Sequence, residues 1–356
     1  MCQRTFHRHS IFCFLPPYIL RSISQNGTAQ QRAKALQTLS TDNTLRALRA
    51  AQAPVRLPAA GRGVSIEGQK HRIIYNVHNT FNLPGEVIRK EGAKPTGDVA
   101  ADEAYDALGA TFDFYWEVYD RNSIDDEGMP LKASVHFGQN YNNAFWDGQS
   151  MVFGDGDGDF FNRFTIALEV VGHELTHGVI WDEAQLQYFF QAGALNESMA
   201  DVFGSLVKQY LLKQTADQAD WLIGAGLFTR KVQGVALRSM KEPGTAFDDP
   251  VLGKDPQPAH MKDFVRTFED NGGVHINSGI PNHAFYLAAT NIGGQAWKKA
   301  GRIWYESLKD RELRSNSGFV RFAKLTARNA GRLYGANSLE AQAVREAWSQ
   351  VGIKSS

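Results

Sequence analysis

The chain has 356 residues, of which 43% are hydrophobic, so it is long enough to form two packed domains with buried cores. Its two cysteines, Cys2 and Cys13, are too few for the disulfide framework of a small secreted scaffold. The longest apolar run near the start ends at Pro16, and no segment forms a Sec-type signal peptide or approaches the roughly 18 apolar residues of a membrane span.

The formal net charge of zero hides a basic head. Residues 1–62 have nine Lys and Arg against one acid, a net charge of +8, whereas residues 63–356 have 29 against 37, a net charge of −8. The bases of the head are dispersed, without the compact run that is typical of a nucleic-acid site. The charges therefore indicate a head that docks onto its own acidic body.

The head is predicted to end in a flexible linker. It contains an apolar segment from Pro16 to Leu20, a stop at Asn26-Gly27, and a predicted helix from Thr28 to Leu39. From Ala50 to Gly63 the sequence is rich in Ala, Pro, Gly and Arg, which predicts a protease-accessible linker. We therefore place a domain boundary after residue 62.

The body is predicted to contain strands first and helices second. β-branched and aromatic residues alternate with polar ones at 66–79 and 132–153, which predicts antiparallel sheet. Helical spacing is found at 98–119, 162–180, 195–212, 280–292, 295–308, 317–333 and 338–351. This order indicates an α+β fold, with a β-rich domain of residues 63–190 that carries the 162–180 helix and an α-helical domain of residues 191–356.

Two histidines lie on one face of the predicted 162–180 helix. His173-Glu174-Leu175-Thr176-His177 is an H-E-x-x-H motif, and at 3.6 residues per turn its histidines lie about 40° apart. Two imidazoles and a carboxylate suit zinc and leave a fourth position for water, beside which Glu174 would stand. Because the pattern also arises by chance, the motif alone leaves a metal site and an ordinary helix as equal alternatives.

A second helix supplies a third ligand. Glu197 comes twenty residues after His177, so the sequence favours His173, His177 and Glu197 as the zinc ligands. Without the histidines, Glu197 would fit an acid that complements the helix dipole. Asp201, on the same face as Glu197, and Asn196 are placed to accept hydrogen bonds from the ligating histidines and so to orient them.

Further motifs accompany the zinc residues in a specific order. They are YNNAFW at 141–146, FGDGDG at 153–158, NESMAD at 196–201, LRSM at 237–240 and DNGGVHINSG at 270–279. With them, the region from about Val64 to Gly352 resembles the thermolysin family of zinc metalloendopeptidases. The resemblance implies that family's two-domain α+β fold, a zinc cofactor, and protein or peptide substrates cut at internal bonds.

The resemblance also implies the catalytic residues. Glu174 would be the general base, and His275 and Tyr188 would donate hydrogen bonds to the oxyanion. Asp270 would orient His275. Considered singly, His275 fits a turn residue and Tyr188 a core aromatic, so their roles depend on the family context.

The same resemblance implies how a substrate would be held. Asn143 and the backbone of Ala144 would align a peptide as an added strand, and Arg238, which alone would fit a surface charge, would bind a carbonyl group. The specificity pocket would be lined by Val170, Leu237 and Phe164. An apolar pocket predicts cleavage on the amino side of large apolar residues.

The head resembles the short propeptides of the protealysin-like branch of the family. It would be an intramolecular inhibitor that the enzyme removes itself, by a cut between about Asn43 and Gly63. Thiolate is a strong zinc ligand, so Cys13, or less favourably Cys2, is a candidate to contact zinc in the precursor, and a small buried apolar residue is the alternative. We expect a monomer without nucleic-acid or membrane partners, either a cytoplasmic precursor or one secreted by a route other than Sec.

The double calcium site of the family is expected to be missing. Four positions where acids are expected hold other residues: Lys208, Leu222, Ala225 and Gly226. Three acids remain: Glu169, Glu183 and Asp220. Three carboxylates are too few for a cage of six to eight oxygens.

Two other functions fit part of the pattern. A zinc aminopeptidase also carries H-E-x-x-H, but the chain has no acidic exopeptidase motif that would hold a substrate amino terminus. A metal-stabilised binding module needs the zinc ligands but has no use for Glu174, Tyr188, Arg238 and His275 together. Chelator-sensitive hydrolysis of casein would separate an enzyme from such a module.

Overall fold

The computed structural model describes residues 12–51 and 67–355. In the head it contains strand β1 (Phe12–Cys13), helix α1 (Pro17–Asn26) and helix α2 (Ala29–Ala51). The predicted helix at 28–39 is present but continues to Ala51, so the linker that we predict from residue 50 begins later. The remainder of that linker lies outside the described residues.

Helix α1 begins at a proline and ends at a glycine, as helix ends favour. Pro17 is at the first helical position, where no N–H donor is needed, and Gly27 ends the helix with its amide bonded to Ile23 O. One face is buried through Ile19, Leu20 and Ile23. The apolar segment predicted from Pro16 to Leu20 therefore docks onto the body through this helix.

One mixed sheet contains strands of both the head and the body. The body contributes β2 (Arg72–Asn76), β3 (Glu86–Lys90), β4 (Leu131–Val135), β5 (Ala144–Trp146) and β6 (Met151–Phe153), and the order is β1-β5-β6-β4-β2-β3. β2 and β4 are parallel, as are β4 and β6. The predicted antiparallel arrangement is wrong for these pairs, because residue alternation determines which face a side chain occupies and carries no information on strand direction.

The fold has three long helices: α3 (Val99–Tyr119), which lies between β3 and β4 in the chain, and α4 (Leu168–Glu183) and α5 (Phe190–Leu212), which follow β6. Helices α4 and α5 approach closely at two glycines. A Cβ added to Gly172 would lie 3.1 Å from Gly204 Cα, and one added to Gly204 would lie 2.4 Å from Glu169 O. Only residues without a side chain permit this approach, which brings the inner faces of α4 and α5 together.

The last third of the body is helical. It contains α6 (Asp270–Asn277), α7 (Gly279–Ile292), α8 (Ala300–Leu308), α9 (Phe319–Tyr334) and α10 (Leu339–Gln350). Before them lie two short antiparallel pairs, β7 (Leu222–Ile223) with β8 (Arg238–Ser239) and β9 (Asp248–Asp249) with β10 (Gly253–Lys254). The α+β fold is confirmed, although α4 and α8 begin several residues later than predicted. In the described part of the chain, no helix is long and apolar enough to span a membrane.

Candidate active site

The polar residues predicted from the zinc motif are brought together by α4 and α5. All six are buried: His173, Glu174 and His177 on α4, and Asn196, Glu197 and Asp201 on α5. Buried polar groups destabilise a fold unless they are paired, so the partners of these side chains define the site.

Three of these residues have converging ligand atoms. His173 Nε2 and His177 Nε2 are 3.1 Å apart, and they lie 3.5 and 3.4 Å from the two carboxylate oxygens of Glu197. Within residues 12–51 and 67–355, this is the one group of three or more His, Cys, Asp or Glu side chains with the spacing of a metal site.

The outer hydrogen bonds of the imidazoles fix their orientation. His173 Nδ1 lies 2.7 Å from Asp201 Oδ1, and His177 Nδ1 lies 2.8 Å from Asn196 Oδ1. Both oxygens only accept, so each Nδ1 carries a proton. Burial lowers the pKa of His177 to about 3, which keeps that ring neutral and leaves the lone pair on Nε2.

The Glu197 carboxylate completes a donor set that suits zinc. Its Oε2 atom is buried and has no hydrogen-bond partner among the described residues. Burial would raise the pKa of Glu197, but the charges of His275 and Arg238 help to lower it overall, so the anion is favoured. Two imidazole nitrogens and one anionic oxygen that face the same point fit zinc with three protein ligands.

Glu174 is directed into the site beside these ligands. Its Oε2 accepts a hydrogen bond of 3.0 Å from the Trp146 amide, while its buried Oε1 has no hydrogen-bond partner among the described residues. Burial and the charge of Glu197 raise its pKa well above the usual value. A carboxylate with a raised pKa is a better proton acceptor than an ordinary glutamate.

Tyr188 and His275 lie on the other side of the metal group. His275 Nδ1 donates to Asp270 Oδ1 over 2.6 Å, so Nε2 faces the Tyr188 hydroxyl at 3.1 Å. The Tyr188 hydroxyl also donates to Glu197. Burial opposes the charged form of His275, but the charges of Asp270 and Glu197 raise its pKa overall, which favours a donor at Nε2.

The loop that carries His275 is held in an uncommon conformation. Asp270, Asn271, Gly272 and Gly273 all have φ between 51° and 88°, and a Cβ on Gly272 would lie 2.4 Å from the ring of Phe190. The Gly272-Gly273 pair is therefore required for the turn that places Asp270 and His275 next to each other.

Arg238 is buried behind His173. Its guanidinium makes a double hydrogen bond to Asp201, with Nε to Oδ2 at 2.9 Å and Nη2 to Oδ1 at 2.8 Å. Its Nη1 has no hydrogen-bond partner among the described residues and is available for a carbonyl group. Asp201 thus orients both His173 and Arg238, and Asn282, which the sequence did not indicate, donates to the same carboxylate over 2.9 Å.

The head fills the cleft beside these groups. The Phe14 amide donates to Ala144 O over 3.0 Å, and the Leu15 amide donates to Asn143 Oδ1 over 2.8 Å. The Phe14 ring lies edge-on to His173, with ring centroids 5.1 Å apart. The residues that we predict to align a substrate are therefore engaged by residues 14 and 15. Three residues predicted to line the pocket, Phe164, Val170 and Leu237, are fully buried.

Helix α2 adds a contact that the sequence analysis missed. Asp42 accepts hydrogen bonds from the Tyr141 hydroxyl over 2.5 Å and from Asn143 Nδ2 over 2.9 Å. Burial raises its pKa to about 6. The sequence does contain a signal for this contact, because Asp42 is the one acid among residues 1–62. An isolated acid in a basic segment that docks onto an acidic body needs hydrogen-bond donors of its own.

Of the two alternatives for Cys13, the structure favours the small buried apolar residue over the zinc ligand. Cys13 packs with Val77, Phe137, Tyr141 and Phe145 and does not belong to the group of metal-ligand atoms. Successive side chains of a strand point to opposite faces, so Phe14 rather than Cys13 contacts His173. Burial raises the pKa of the Cys13 thiol, which further disfavours a thiolate. Cys2 lies outside the described residues.

Three family profiles cover most of the chain. The profile described as "Thermolysin metallopeptidase, catalytic domain" matches residues 33–181, and "Thermolysin metallopeptidase, alpha-helical domain" matches residues 184–353. "Protealysin propeptide" matches residues 13–40.

The chain belongs to the thermolysin metallopeptidase family.

Relatives of this thermolysin-family chain are similar over nearly its full length. An "Extracellular metalloprotease" of Pectobacterium carotovorum subsp. carotovorum is 54% identical, with 96% of each chain covered. "Protease PrtS" of Photorhabdus sp. (strain Az29) is 50% identical, covering 96% of this chain and 91% of that protein. The precursor of protealysin, a metalloproteinase from Serratia proteamaculans, has a similar structure, with a TM-score of 0.88, 55% identity, and coverage of 96% of this chain and 99% of that one.

These findings confirm three of the expectations from the sequence. The protein is a thermolysin-family metalloprotease, it has the two-domain fold, and it carries an N-terminal propeptide of the protealysin type. Its His-His-Glu group agrees with the zinc dependence of the family. The roles of the individual site residues remain proposals.

Proposed function

We propose that the protein is a zinc-dependent endopeptidase that cuts on the amino side of large apolar residues and processes its own precursor. The observation that carries this proposal is the convergence of ligand atoms from His173, His177 and Glu197 beside Glu174, whose Oε1 is buried without a hydrogen-bond partner among the described residues. A purely structural metal site would not need a second buried carboxylate at its edge.

The chemistry follows from the positions of the side chains. A bound zinc ion would polarise the scissile carbonyl and lower the pKa of water to about 7. Glu174 takes a proton from the attacking water and passes it to the leaving nitrogen. Tyr188 and His275 donate to the carbonyl oxygen as it becomes negative. No covalent intermediate with the protein is required.

The substrate is held by the edge of the sheet. Asn143 and Ala144 O align the peptide as an added strand, and the Nη1 donor of Arg238 binds a carbonyl group. The pocket residues Phe164, Val170 and Leu237 supply apolar surface, which favours a large apolar side chain.

Peptides blocked at both ends test this function. The mature protein should cut an internal Gly-Leu or Gly-Phe bond, and a change of the apolar residue to Gly should lower kcat/KM by roughly 10 to 200-fold. Because the amino terminus is blocked, an aminopeptidase would leave all these peptides intact. A cut that is equally fast before Gly and before Leu would contradict the proposed pocket.

Replacing His275 by Ala should lower kcat by roughly 10² to 10³ with a smaller effect on KM, since one donor to the oxyanion is lost. Steady-state kinetics on a blocked peptide would measure both constants. His283→Ala is a suitable control, because His283 is only partly buried and contacts the Met240 carbonyl at 3.4 Å, outside the site. A change confined to KM would exclude the oxyanion role of His275.

The stability of the fold is proposed not to depend on calcium. Lys208 Nζ lies 2.8 Å from Asp220 and 3.6 Å from Glu169, so its ammonium group neutralises both acids. Glu183 and Asp182 are bound by the guanidinium of Arg121. The remaining acids are thus paired with Lys208 and Arg121 of the protein itself, which supports the prediction that the double calcium site is missing.

Removal of calcium at fixed zinc should therefore change the melting temperature little. Calcium-free protein with its zinc retained, compared with the same protein after calcium is added back, would test this by differential scanning fluorimetry. A large fall in melting temperature that calcium restores would mean that a calcium site has been missed.

The remaining proposals concern organisation and location. We propose domain boundaries after residues 62 and 190, and a monomeric mature enzyme. The relative from Pectobacterium carotovorum is named an extracellular metalloprotease, which supports export of this enzyme as well.

A further inference from the structure

The head lies in the cleft with the hydrogen bonds of a bound peptide. The Phe14 amide donates to Ala144 O, and the Leu15 amide donates to Asn143 Oδ1. Strand β1 runs antiparallel to β5. These are the groups to which the proposed function assigns the alignment of a substrate, so the chain's own segment takes the place of one.

The pairing register places Glu174 at the start of this segment. Phe12 of β1 lies opposite Trp146 of β5. The Trp146 amide donates to Glu174 Oε2 over 3.0 Å. From Phe12 onward the chain of the head moves away from Trp146. Because Glu174 is bonded to the Trp146 amide, Glu174 lies beside the residues of the head that come before Phe14.

The Cys13–Phe14 bond joins the part of the head beside Glu174 to the residue whose ring contacts His173. The amides of Phe14 and Leu15 are both held by the edge of the sheet, which fixes the segment in the cleft. The Phe14 ring contacts His173 edge-on, and the Arg238 guanidinium carbon lies 4.7 Å from its centroid. Phe14 is fully buried, large and apolar, which is the residue type that the proposed function requires on the amine side of a cut.

We propose that the Cys13–Phe14 bond is a second self-cleavage site, inside the propeptide, and this inference rests on the proposed endopeptidase function. Water adds to the Cys13 carbonyl carbon, the bond to the Phe14 nitrogen breaks, and Glu174 transfers the proton of the water to that nitrogen. The products are a carboxylate at Cys13 and an amine at Phe14, so water is the only co-reactant. The cut separates β1 from α1 and α2 and divides the inhibitor.

The two new ends are held together as long as the head stays docked. Beyond Leu15, helix α1 is anchored by Arg21, whose guanidinium lies 2.8 Å from Glu269, and by Ser22, which donates to Val251 O over 2.8 Å. Strand β1 remains paired with β5 on the other side of the cut. Re-formation of the bond then competes with cleavage, so the new terminus accumulates once the linker has also been cut.

The test uses full-length, zinc-loaded protein at two concentrations about tenfold apart. Samples quenched in acid over time are read by intact mass under denaturing conditions, and peptide hydrolysis is measured in parallel. The expected result is a head fragment that begins at Phe14, and its amount relative to the linker cut should not depend on concentration, since the bond is buried in the cleft of its own chain. Glu174→Gln should give no such fragment.

Two substitutions at residue 14 sharpen the test. Phe14→Leu keeps a large apolar side chain and should keep the cut, whereas Phe14→Gly should lower its yield by at least about tenfold, with the linker cut as the internal reference. If wild type hydrolyses peptides and cuts its linker but no terminus forms at residue 14, the inference is wrong and the proposed function stands. The inference is also wrong if, relative to the linker cut, the cut at residue 14 becomes faster with concentration. If neither peptide nor linker is cut, the proposed function itself fails.

Discussion

Replacing Glu174 by Gln is expected to leave zinc bound and to lower peptidase activity by roughly 10² to 10⁴. The zinc ligands remain, and the amide oxygen can still accept from the Trp146 amide, now 3.0 Å from Glu174, but the side chain no longer takes up a proton. Metal analysis together with kcat/KM on a blocked peptide would measure both properties.

A matched control makes this result specific. Glu183→Gln is the same chemical change on the same helix, at its last residue and away from the zinc ligands, and it should keep most of the activity. Near wild-type turnover in Glu174→Gln would exclude Glu174 as the base. Loss of zinc from that variant would instead assign Glu174 a role in metal binding.

The second large effect is expected for the uncut precursor, which should be roughly 10² to 10³ less active than the mature enzyme. The tethered head competes with substrate at an effective concentration on the order of mM. The head bonds both the Asn143 side chain and Ala144 O, so a substrate peptide cannot pair with this edge of the sheet. Precursor purified without zinc and then given zinc should hydrolyse peptides only after a lag, in step with the loss of the head by intact mass.

The buried contact of Asp42 provides a variant for this experiment. Asp42→Ala removes the acceptor of Tyr141 and Asn143 and should shorten the lag. Asn43→Ala, at the next and exposed position of α2, should leave the lag unchanged. Full activity before any cut would mean that the head does not inhibit. Loss of the head from Glu174→Gln at the wild-type rate, read by intact mass, would assign the processing to another protease.

The zinc group could be predicted because it depends mostly on local structure. His173 and His177 are one helical turn apart, so the helix alone places them on one face. Glu197 is predicted from its position twenty residues after His177 on a second helix, and the close approach of α4 and α5 at Gly172 and Gly204 is what brings it to the histidines. A sequence pattern does not show such a contact between two helices.

The features that the sequence did not predict depend on which side of a strand a residue faces and on which distant residue it contacts in the folded chain. The chemistry of its thiol makes Cys13 a candidate zinc ligand, but the strand turns the neighbouring Phe14 towards His173. The bond between Asp42 and Asn143 joins positions 101 residues apart, and no local pattern encodes it. The first part of the region expected to be cut, from Asn43 to Ala51, lies within α2, so a protease would have to unwind the end of that helix to cut there.

The measurement that tests the account most directly is casein hydrolysis by the processed protein with and without zinc. The protein should hydrolyse casein, lose that activity in a zinc chelator such as 1,10-phenanthroline, and regain it when zinc is added back in stoichiometric amount. His173→Ala, with its head removed by an added protease because the variant cannot process itself, should stay inactive after zinc addition because a ligand is missing. Hydrolysis that persists in the metal-free protein would contradict the assignment of His173, His177 and Glu197 as the centre of the active site.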